Sequence, residues 1–421
     1  MTGAPADVDG LLRLLRARGV VLAARGTALD FDAPAGALTD DLIDAMRRLK
    51  PDILRRLAGD AGEVACTAPA VPPHRLDAAV EDFCAAPFGL EAEPAFRALL
   101  ARVDDPADPG RRHELALAVH HGIVDGWSVE VLVRDLGELY RAAQTGQPAD
   151  LPPLAADFVD FCRWERDLLA APSTRDMVRA WADRVRPHVT PIRLPTDRPR
   201  GASRSTAGAY VTEVVPTDLL DAATGYALRR NVTPFVVFAA AFAVLVREVT
   251  GASTVPLTSA VANRADPRFA DVVGVFTQSP WLVVELRGAR TFDDAVARTA
   301  AATWEMLAMQ SVPGQVQTEA LGEAFAGSPP RVYLAMLDMP DPVLRLPGLA
   351  PAPARDVPLA GARADQLWYL RGTDDGGLSL TVEYATALFD AATVTRSVAR
   401  YRALLRRALA EPDAWPGPDP A

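Results

Sequence analysis

The run Leu115-Ala116-Leu117-Ala118-Val119 alternates as a strand does, then gives way to His120-His121-Gly122-Ile123-Val124-Asp125-Gly126-Trp127-Ser128. From Val129 to Ala143 the apolar residues recur at helical spacing. A strand that passes through a tight turn into an amphipathic helix belongs to a mixed α and β architecture. The junction also concentrates chemistry, with two histidines, an aspartate and a glycine inside seven positions.

Read as strand residues, His120 and His121 point to opposite faces. A metal ion shared between them is therefore not expected. With one ring inward and the other toward an opening, one is structural and the other is free to act as base or hydrogen-bond partner near neutral pH. Asp125-Gly126 closes the segment in a turn. A buried aspartate there needs a partner, most simply an arginine.

Length and composition bound the rest. A chain of 421 residues has room for two or three domains, and 49% apolar residues supply sizeable cores. A net charge of −10 argues against attraction to nucleic acid or anionic membrane. Cys66, Cys84 and Cys162 are odd in number and widely spaced, so they read as buried free thiols in a reducing cytosol. The N-terminus lacks a signal-peptide pattern, and the apolar stretch from Val232 to Val246 contains Pro234 and is too short to span a bilayer. The expected location is cytoplasmic.

Residues 8–57 read as a small α+β unit. Leu11, Leu12, Leu14 and Leu15 form a helical stripe that stops at Gly19. Val20-Val21-Leu22 and Leu29-Asp30-Phe31 read as short strands around a turn at Arg25-Gly26. Thr39 is an N-cap for a helix from Asp40, and Pro51 opens a last helix to about Leu57. The segments 11–20, Ala33-Pro34-Ala35-Gly36-Ala37-Leu38-Thr39 and Lys50-Pro51-Asp52-Ile53-Leu54 resemble the TubC-type N-terminal docking domain of nonribosomal peptide synthetases. The resemblance implies capture of a linear motif at the C-terminus of an upstream synthetase, along the hairpin bearing Val21, Leu22, Arg25, Leu29 and Phe31. An unpaired strand edge is a template for such β-augmentation.

Residues 58–73 read as a linker rich in Ala, Gly and Pro. Leu76, Ala79, Val80 and Phe83 then mark a helix, and Phe96–Val103 with His113–His121 a strand pair. Phe158–Leu169 is another helix. The loop Leu194-Pro195-Thr196-Asp197-Arg198-Pro199-Arg200 links two lobes. Beyond it strands at 210–215, 254–261, 281–286, 332–337 and 378–384 accompany helices at 234–249 and 391–409.

His120-His121-x3-Asp125-Gly126-Trp127-Ser128 resembles the signature of nonribosomal peptide synthetase condensation domains. So do the Leu194–Arg200 segment, Val232-Thr233-Pro234-Phe235, Val261-Ala262-Asn263-Arg264 with Gly274-Val275-Phe276, and Val382-Glu383-Tyr384 with Leu388-Phe389-Asp390. The resemblance spans about 74–412. It implies an α/β (α+β) fold, the two-lobed chloramphenicol acetyltransferase-like architecture. The expected domains are a docking domain at 1–57, the linker, a partial N-lobe at 74–200 and a C-lobe at 201–421.

Carried over by position, His121 is the catalytic histidine, beside His120, Asp125 and Gly126. Asp125 is paired with Arg264 across the lobe interface, Gly126 lets substrate approach the backbone, and His120 packs inward. Trp127, Ser128, Gln278 and Ser279 fall at tunnel or bridge positions. The implied reaction is attack of an amine on a carrier-bound acyl thioester. It needs no bound cofactor, because the substrates arrive as phosphopantetheine thioesters on donor and acceptor carrier proteins.

The chain departs from the family pattern in three places. Gln278-Ser279-Pro280 stands where Asn-Thr-Leu is usual, and Gln310-Ser311-Val312-Pro313-Gly314-Gln315 where His-Gln-Asp-x-Pro-Phe-Glu is usual. The segments Ser-x-Ala-Gln-x-Arg-Leu-Trp and Arg-His-Glu-x-Leu-Arg-Thr that precede the histidines in the family are missing. An incomplete N-lobe is expected, covered by self-association, a partner or a smaller wall. Two further readings stay open: a catalytically inactive docking or gating module, and acyl transfer to a free amine or alcohol.

Overall fold

The computed structural model describes residues 7–25, 28–34, 36–57, 66–90, 94–105, 112–201, 205–323, 325, 332–337, 342–350, 352–353, 356–357, 361–373 and 376–415. The chain divides into two compact units, Met1–Val124 and Asp125–Ala421. The division falls inside the histidine motif and not near residue 200, where the sequence placed the lobe boundary.

In the first unit, α1 (Val8–Ala17) begins where the Asp7 carboxylate accepts from the Gly10 N–H at 2.7 Å. It ends at Gly19, whose φ of +72° requires glycine-like freedom. The strands β1 (Val21–Arg25) and β2 (Ala28–Asp32) pair antiparallel. The turn expected at Gly26 lies outside the described residues. Helices α2 (Asp40–Arg48) and α3 (Lys50–Leu57) follow, and Leu11, Leu15, Leu42, Ala45, Met46 and Ile53 make the core. Thr39 occupies the N-cap of α2 but its side chain makes no capping bond.

Part of the expected linker is strand. Strands β3 (Cys66–Thr67) and β4 (Ala70–Val71) pair in parallel with β5 (Phe96–Val103), through Cys66↔Ala98 and Ala70↔Arg102. Two-residue strands are too short to show alternation, so only the ladder reveals them. Between them and β5 lies α4 (Leu76–Ala85). β6 (His113–Val119) pairs antiparallel with β5. Helix α4 covers the face that buries Leu99, Ala101, Val103, Ala116 and Ala118, and there the Arg97 guanidinium stacks on Phe83 and Phe88. β6 ends at Val119, so His120 and His121 lie in the turn beyond it. The argument that they alternate across a strand therefore does not apply.

The second unit opens with α5 (Gly126–Thr145), α6 (Phe158–Ala170) and α7 (Pro172–Val185). Then come β7 (Gly208–Val215), α8 (Thr217–Arg230), α9 (Pro234–Thr250), β8 (Thr254–Thr258), β9 (Trp281–Glu285), α10 (Phe292–Ala308) and α11 (Gly314–Leu321). The remainder is β10 (Val332–Leu337), β11 (Val343–Leu344), β12 (Ala352–Pro353), β13 (Gln366–Gly372), β14 (Leu378–Ala385) and α12 (Ala391–Ala410). Six strands form one sheet in the order β7-β14-β13-β10-β8-β9, with β10 parallel to β8 and β13 and the other pairs antiparallel.

Helix α9 is apolar nearly all round and buries every residue from Val236 to Val246, as a central helix must. No single helix among the described residues is long and apolar enough to cross a membrane. Packing explains why α5–α7 belong to this unit. Trp181 and Val185 of α7 share a core with Trp281, Met309 and Leu321, and Phe161 of α6 packs among Phe269 and Phe276. The Leu194–Arg200 segment caps the last helix. The Asp197 carboxylate accepts from the Asp390 N–H and the Thr393 hydroxyl, both at 2.8 Å.

Candidate active site

Strand β6 delivers the two histidines, and the turn gives them opposite tautomers. His120 is half-buried, edge-on to Phe88, and its Nδ1 accepts from the Gly122 N–H at 3.0 Å. An acceptor Nδ1 leaves the proton on Nε2. His121 is exposed, with Nδ1 2.7 Å from the Val124 carbonyl oxygen. A carbonyl only accepts, so this Nδ1 carries the proton and Nε2 keeps its lone pair. His120 thus lies half-buried against Phe88, in a turn and not on a strand.

Four residues along the chain from His121, Asp125 is the N-cap of α5, and its side chain accepts from the Ser128 N–H at 2.8 Å. It is 1% exposed. Oδ2 accepts from the N–H groups of Phe276 at 2.9 Å and Thr277 at 3.2 Å and from the Thr277 hydroxyl at 3.3 Å. Oδ1 accepts from Arg264 Nη2 at 3.1 Å. Burial alone would push this carboxyl up. The bonds from Phe276 and Ser128 and the Arg264 charge outweigh it and hold the group below the usual aspartate range.

Arg264 is as deeply buried as its partner, and both of its terminal nitrogens are engaged, whereas its buried Nε has no hydrogen-bond partner among the described residues. Nη1 donates to the Phe269 and Val272 carbonyls at 2.6 and 2.8 Å, and Nη2 also donates to Ser128 Oγ at 2.7 Å. Its guanidinium lies 3.9 Å from the centre of the Phe276 ring. Burial lowers its pKa, opposed by the Asp125 charge. The partnership read from the sequence is present, but both residues belong to the second unit.

The other sequence-derived positions divide. Ser128 is fully buried, donates to the Gly274 carbonyl at 2.8 Å and accepts from the Gly274 N–H at 3.1 Å, so it anchors α5 and lines no tunnel. Trp127 Nε1 donates to the Ala270 carbonyl at 2.9 Å. Gly126 opens α5 with an exposed backbone, and a Cβ there would meet no atom within 4 Å. Gln278 donates to Glu165 at 2.9 Å, and Ser279 is exposed.

The two departures from the family pattern touch each other. A Cβ on Gly314 would stand 2.3 Å from the Ser279 carbonyl oxygen, and the Trp281 N–H donates to Gln317. Gly274 is required for a similar reason, since a Cβ there would lie 2.2 Å from the Phe158 ring. The backbone donors at Phe276 and Thr277, and Glu165 whose carboxyl burial pushes up, were not read as site groups. Only the Gly274-x-Phe276 pattern hinted at the first.

In the docking unit, Leu22 and Leu29 pack against the core, whereas Val21 and Phe31 are 49% and 50% exposed. The side chain of Arg25 lies outside the described residues. The three cysteines are free, but Cys66 and Cys162 are exposed and Cys84 is half-buried, so they are not the buried thiols expected from the sequence. Among the described residues no group of three or more His, Cys, Asp or Glu could hold a metal ion.

Fold and site together define the chloramphenicol acetyltransferase-like class. The chain belongs to the condensation-domain family of nonribosomal peptide synthetases: residues 68–323 match the Condensation domain, and residues 8–58 match the TubC N-terminal docking domain. Over 354 residues, 82% of the chain, it is 33% identical to phosphinothricin tripeptide synthetase PhsC of Streptomyces viridochromogenes and spans 32% of that protein. It spans 8% of chondramide synthase cmdD of Chondromyces crocatus, at 30% identity over 81% of this chain. Its fold resembles the crystal structure of the X-domain from teicoplanin biosynthesis, with a TM-score of 0.74 and 20% identity over 98% of this chain and 90% of that one. The first condensation domain of the CDA synthetase gives 0.69 and 19%, with the same coverage of both chains.

Proposed function

We propose that this chain joins a carrier-bound acyl or aminoacyl thioester to an amine, forming an amide, and is recruited to an upstream synthetase through residues 8–57. The observation that carries the reading is the tautomer of His121: an exposed ring with its proton held on Nδ1 by the Val124 carbonyl and a lone pair free on Nε2. The attacking amine nitrogen forms the new C–N bond at the thioester carbonyl. His121 Nε2 accepts a proton from that nitrogen as the tetrahedral intermediate forms. The intermediate collapses with loss of the phosphopantetheine thiolate, which takes the proton back. Asp125 and Arg264 position the turn and do not touch substrate. The same reading places the protein in the cytoplasm, with donor and acceptor carriers as partners.

The test supplies acyl-loaded donor carrier and an amine to the protein and to His121→Ala. Amide from the wild type and a strong loss in the variant support the reading; no product from the wild type overturns it in favour of an inactive docking or gating module. Replacing the amine by an alcohol separates acyl transfer to oxygen. Recruitment is tested apart from chemistry, by binding of the upstream synthetase's C-terminal motif to the whole chain and to a chain lacking residues 8–57. Equal affinity would remove the docking role.

A further inference from the structure

Two rows of side chains cross the six-stranded sheet on the face away from its core. Directly paired residues share a face, as do residues two apart on one strand. The first row is Tyr210, Glu383, Leu367 and Tyr333, and the second is Thr212, Thr381, Tyr369 and Ala335. The opposite face holds Trp368, Leu370, Leu380 and Val382, all buried in the core. Glu383 is 1% exposed, and a carboxylate so enclosed needs partners. Arg363 supplies them: its backbone N–H donates to Oε1 and its Nη2 to Oε2, both at 2.8 Å. The Tyr210 hydroxyl is hydrogen-bonded to the same carboxylate.

Arg363 Nη2 also donates to the Tyr369 hydroxyl oxygen at 2.7 Å, and the Ala260 backbone is hydrogen-bonded to the Tyr333 oxygen. Both phenols therefore serve as acceptors. Burial raises the pKa of each, that of Tyr333 to about 12, so each keeps its proton. Among the described residues neither phenol proton has an acceptor, and Arg363 Nη1 donates to none. With both Glu383 oxygens taken, the cluster holds donors and lacks an acceptor for them. The Arg363 side chain is 60% exposed, and the two tyrosine rings lie half-buried with centroids 5.6 Å apart. Ala260 leads into Val261–Arg264, whose arginine holds Asp125, so the cluster adjoins the candidate site within one unit.

We propose that Tyr369, Tyr333 and Arg363 select an aminoacyl side chain that ends in an oxygen acceptor, an amide or a carboxylate, over an aliphatic one of the same size. The substrates are those of the preceding reading, on which the proposal rests. An aliphatic side chain against the cluster covers donors and leaves them without partners, whereas an amide or carboxylate oxygen accepts from them. Either the acyl residue of the thioester or the residue bearing the amine offers such a group, and the test separates the two.

The test is calorimetric binding of aminoacyl pantetheine analogues to the full chain, with an amide in place of the thioester so that no reaction occurs. Asparagine and leucine side chains have nearly the same shape, so an asparaginyl and leucyl pair differs in the acceptor alone. An N-acetylated pair reports on the acyl residue, and a pair with the free amine reports on the amine. In one pair the asparaginyl analogue is expected to bind about 3–10-fold more tightly, the worth of one net hydrogen bond. Tyr369→Phe and Tyr333→Phe keep both rings, and each is expected to lower that ratio with the far-ultraviolet dichroism unchanged. A ratio near one in both pairs, no binding of any analogue, or a ratio indifferent to both folded variants overturns the proposal. Binding without turnover also keeps this outcome apart from the amide assay: a protein that forms no amide still shows the ratio if the cluster selects as proposed.

Discussion

The Nδ1–H of His121 donates to the carbonyl of Val124 at 2.7 Å, three residues along the chain. That bond fixes which nitrogen of the exposed ring can take a proton. Removing the ring by His121→Ala is expected to lower the rate of amide formation by about 10²–10⁴-fold with little change in stability. Single-turnover assays with loaded carrier, alongside a thermal melt, read both quantities. An equal loss in rate and fold would argue for a structural role instead.

Next to it, Gly122 has no room for a side chain: a Cβ would stand 2.9 Å from His120 Nδ1. Gly122→Ala is expected to break the bond from the Gly122 N–H to His120. The imidazole nitrogen shifts of His120 should then change in ¹⁵N spectra.

Removing one member of the Asp125–Arg264 pair leaves the other charge buried, because both side chains are almost wholly enclosed. Arg264→Ala is expected to destabilise the second unit by about 3–5 kcal/mol, the usual range for breaking a buried pair. Urea unfolding measures it. A loss below about 1 kcal/mol, the range of exposed pairs, would mean that water reaches the site.

Two of the displaced carboxyls, Asp125 and Glu165, predict opposite pH responses. Asp125 titrates lower folded than unfolded, so its contribution is whole above the ordinary aspartate pKa of about 4 and is lost as pH falls through the lower folded value. Glu165 titrates higher folded than unfolded because of burial, against the Gln278 bond. Its contribution is whole below the ordinary glutamate pKa and fades as pH rises through the folded value. Glu165→Gln should therefore stabilise at neutral pH, with the gain vanishing in acid. Urea midpoints from pH 7 downward test it, and a gain that grows in acid would contradict it.

Gly274→Ala should cost about 1–3 kcal/mol, because the new methyl meets a Phe158 ring already stacked on Phe161 and edge-on to Phe276. Phe158→Ala in the same chain should relieve part of that cost, and a double-mutant cycle reads the coupling.

Much of the local structure was legible in the residues. The amphipathic stripe of α1, the strands β5 and β10, and the long helices α9 and α12 fall within a residue or two of their expected places. Each carries its own periodicity. The helices α7, α8, α10 and α11 went unread, as did the strands β3, β4, β11, β12 and β13. The motif that joins His121, Asp125 and Gly126 was plain, because a strand-to-helix junction leaves a contiguous pattern.

What the sequence determined by itself was therefore the family, the junction and the identity of its ionisable groups. Tertiary structure decided how those groups are used. Asp125 is held by the N–H groups of Phe276 and Thr277, about 150 residues away, and every residue type offers such a donor, so no pattern marks them. Ser128 became an anchor because Gly274 folds back onto it. His120 and His121 took opposite tautomers because β6 stops at Val119 and the turn supplies an N–H to one ring and a carbonyl to the other.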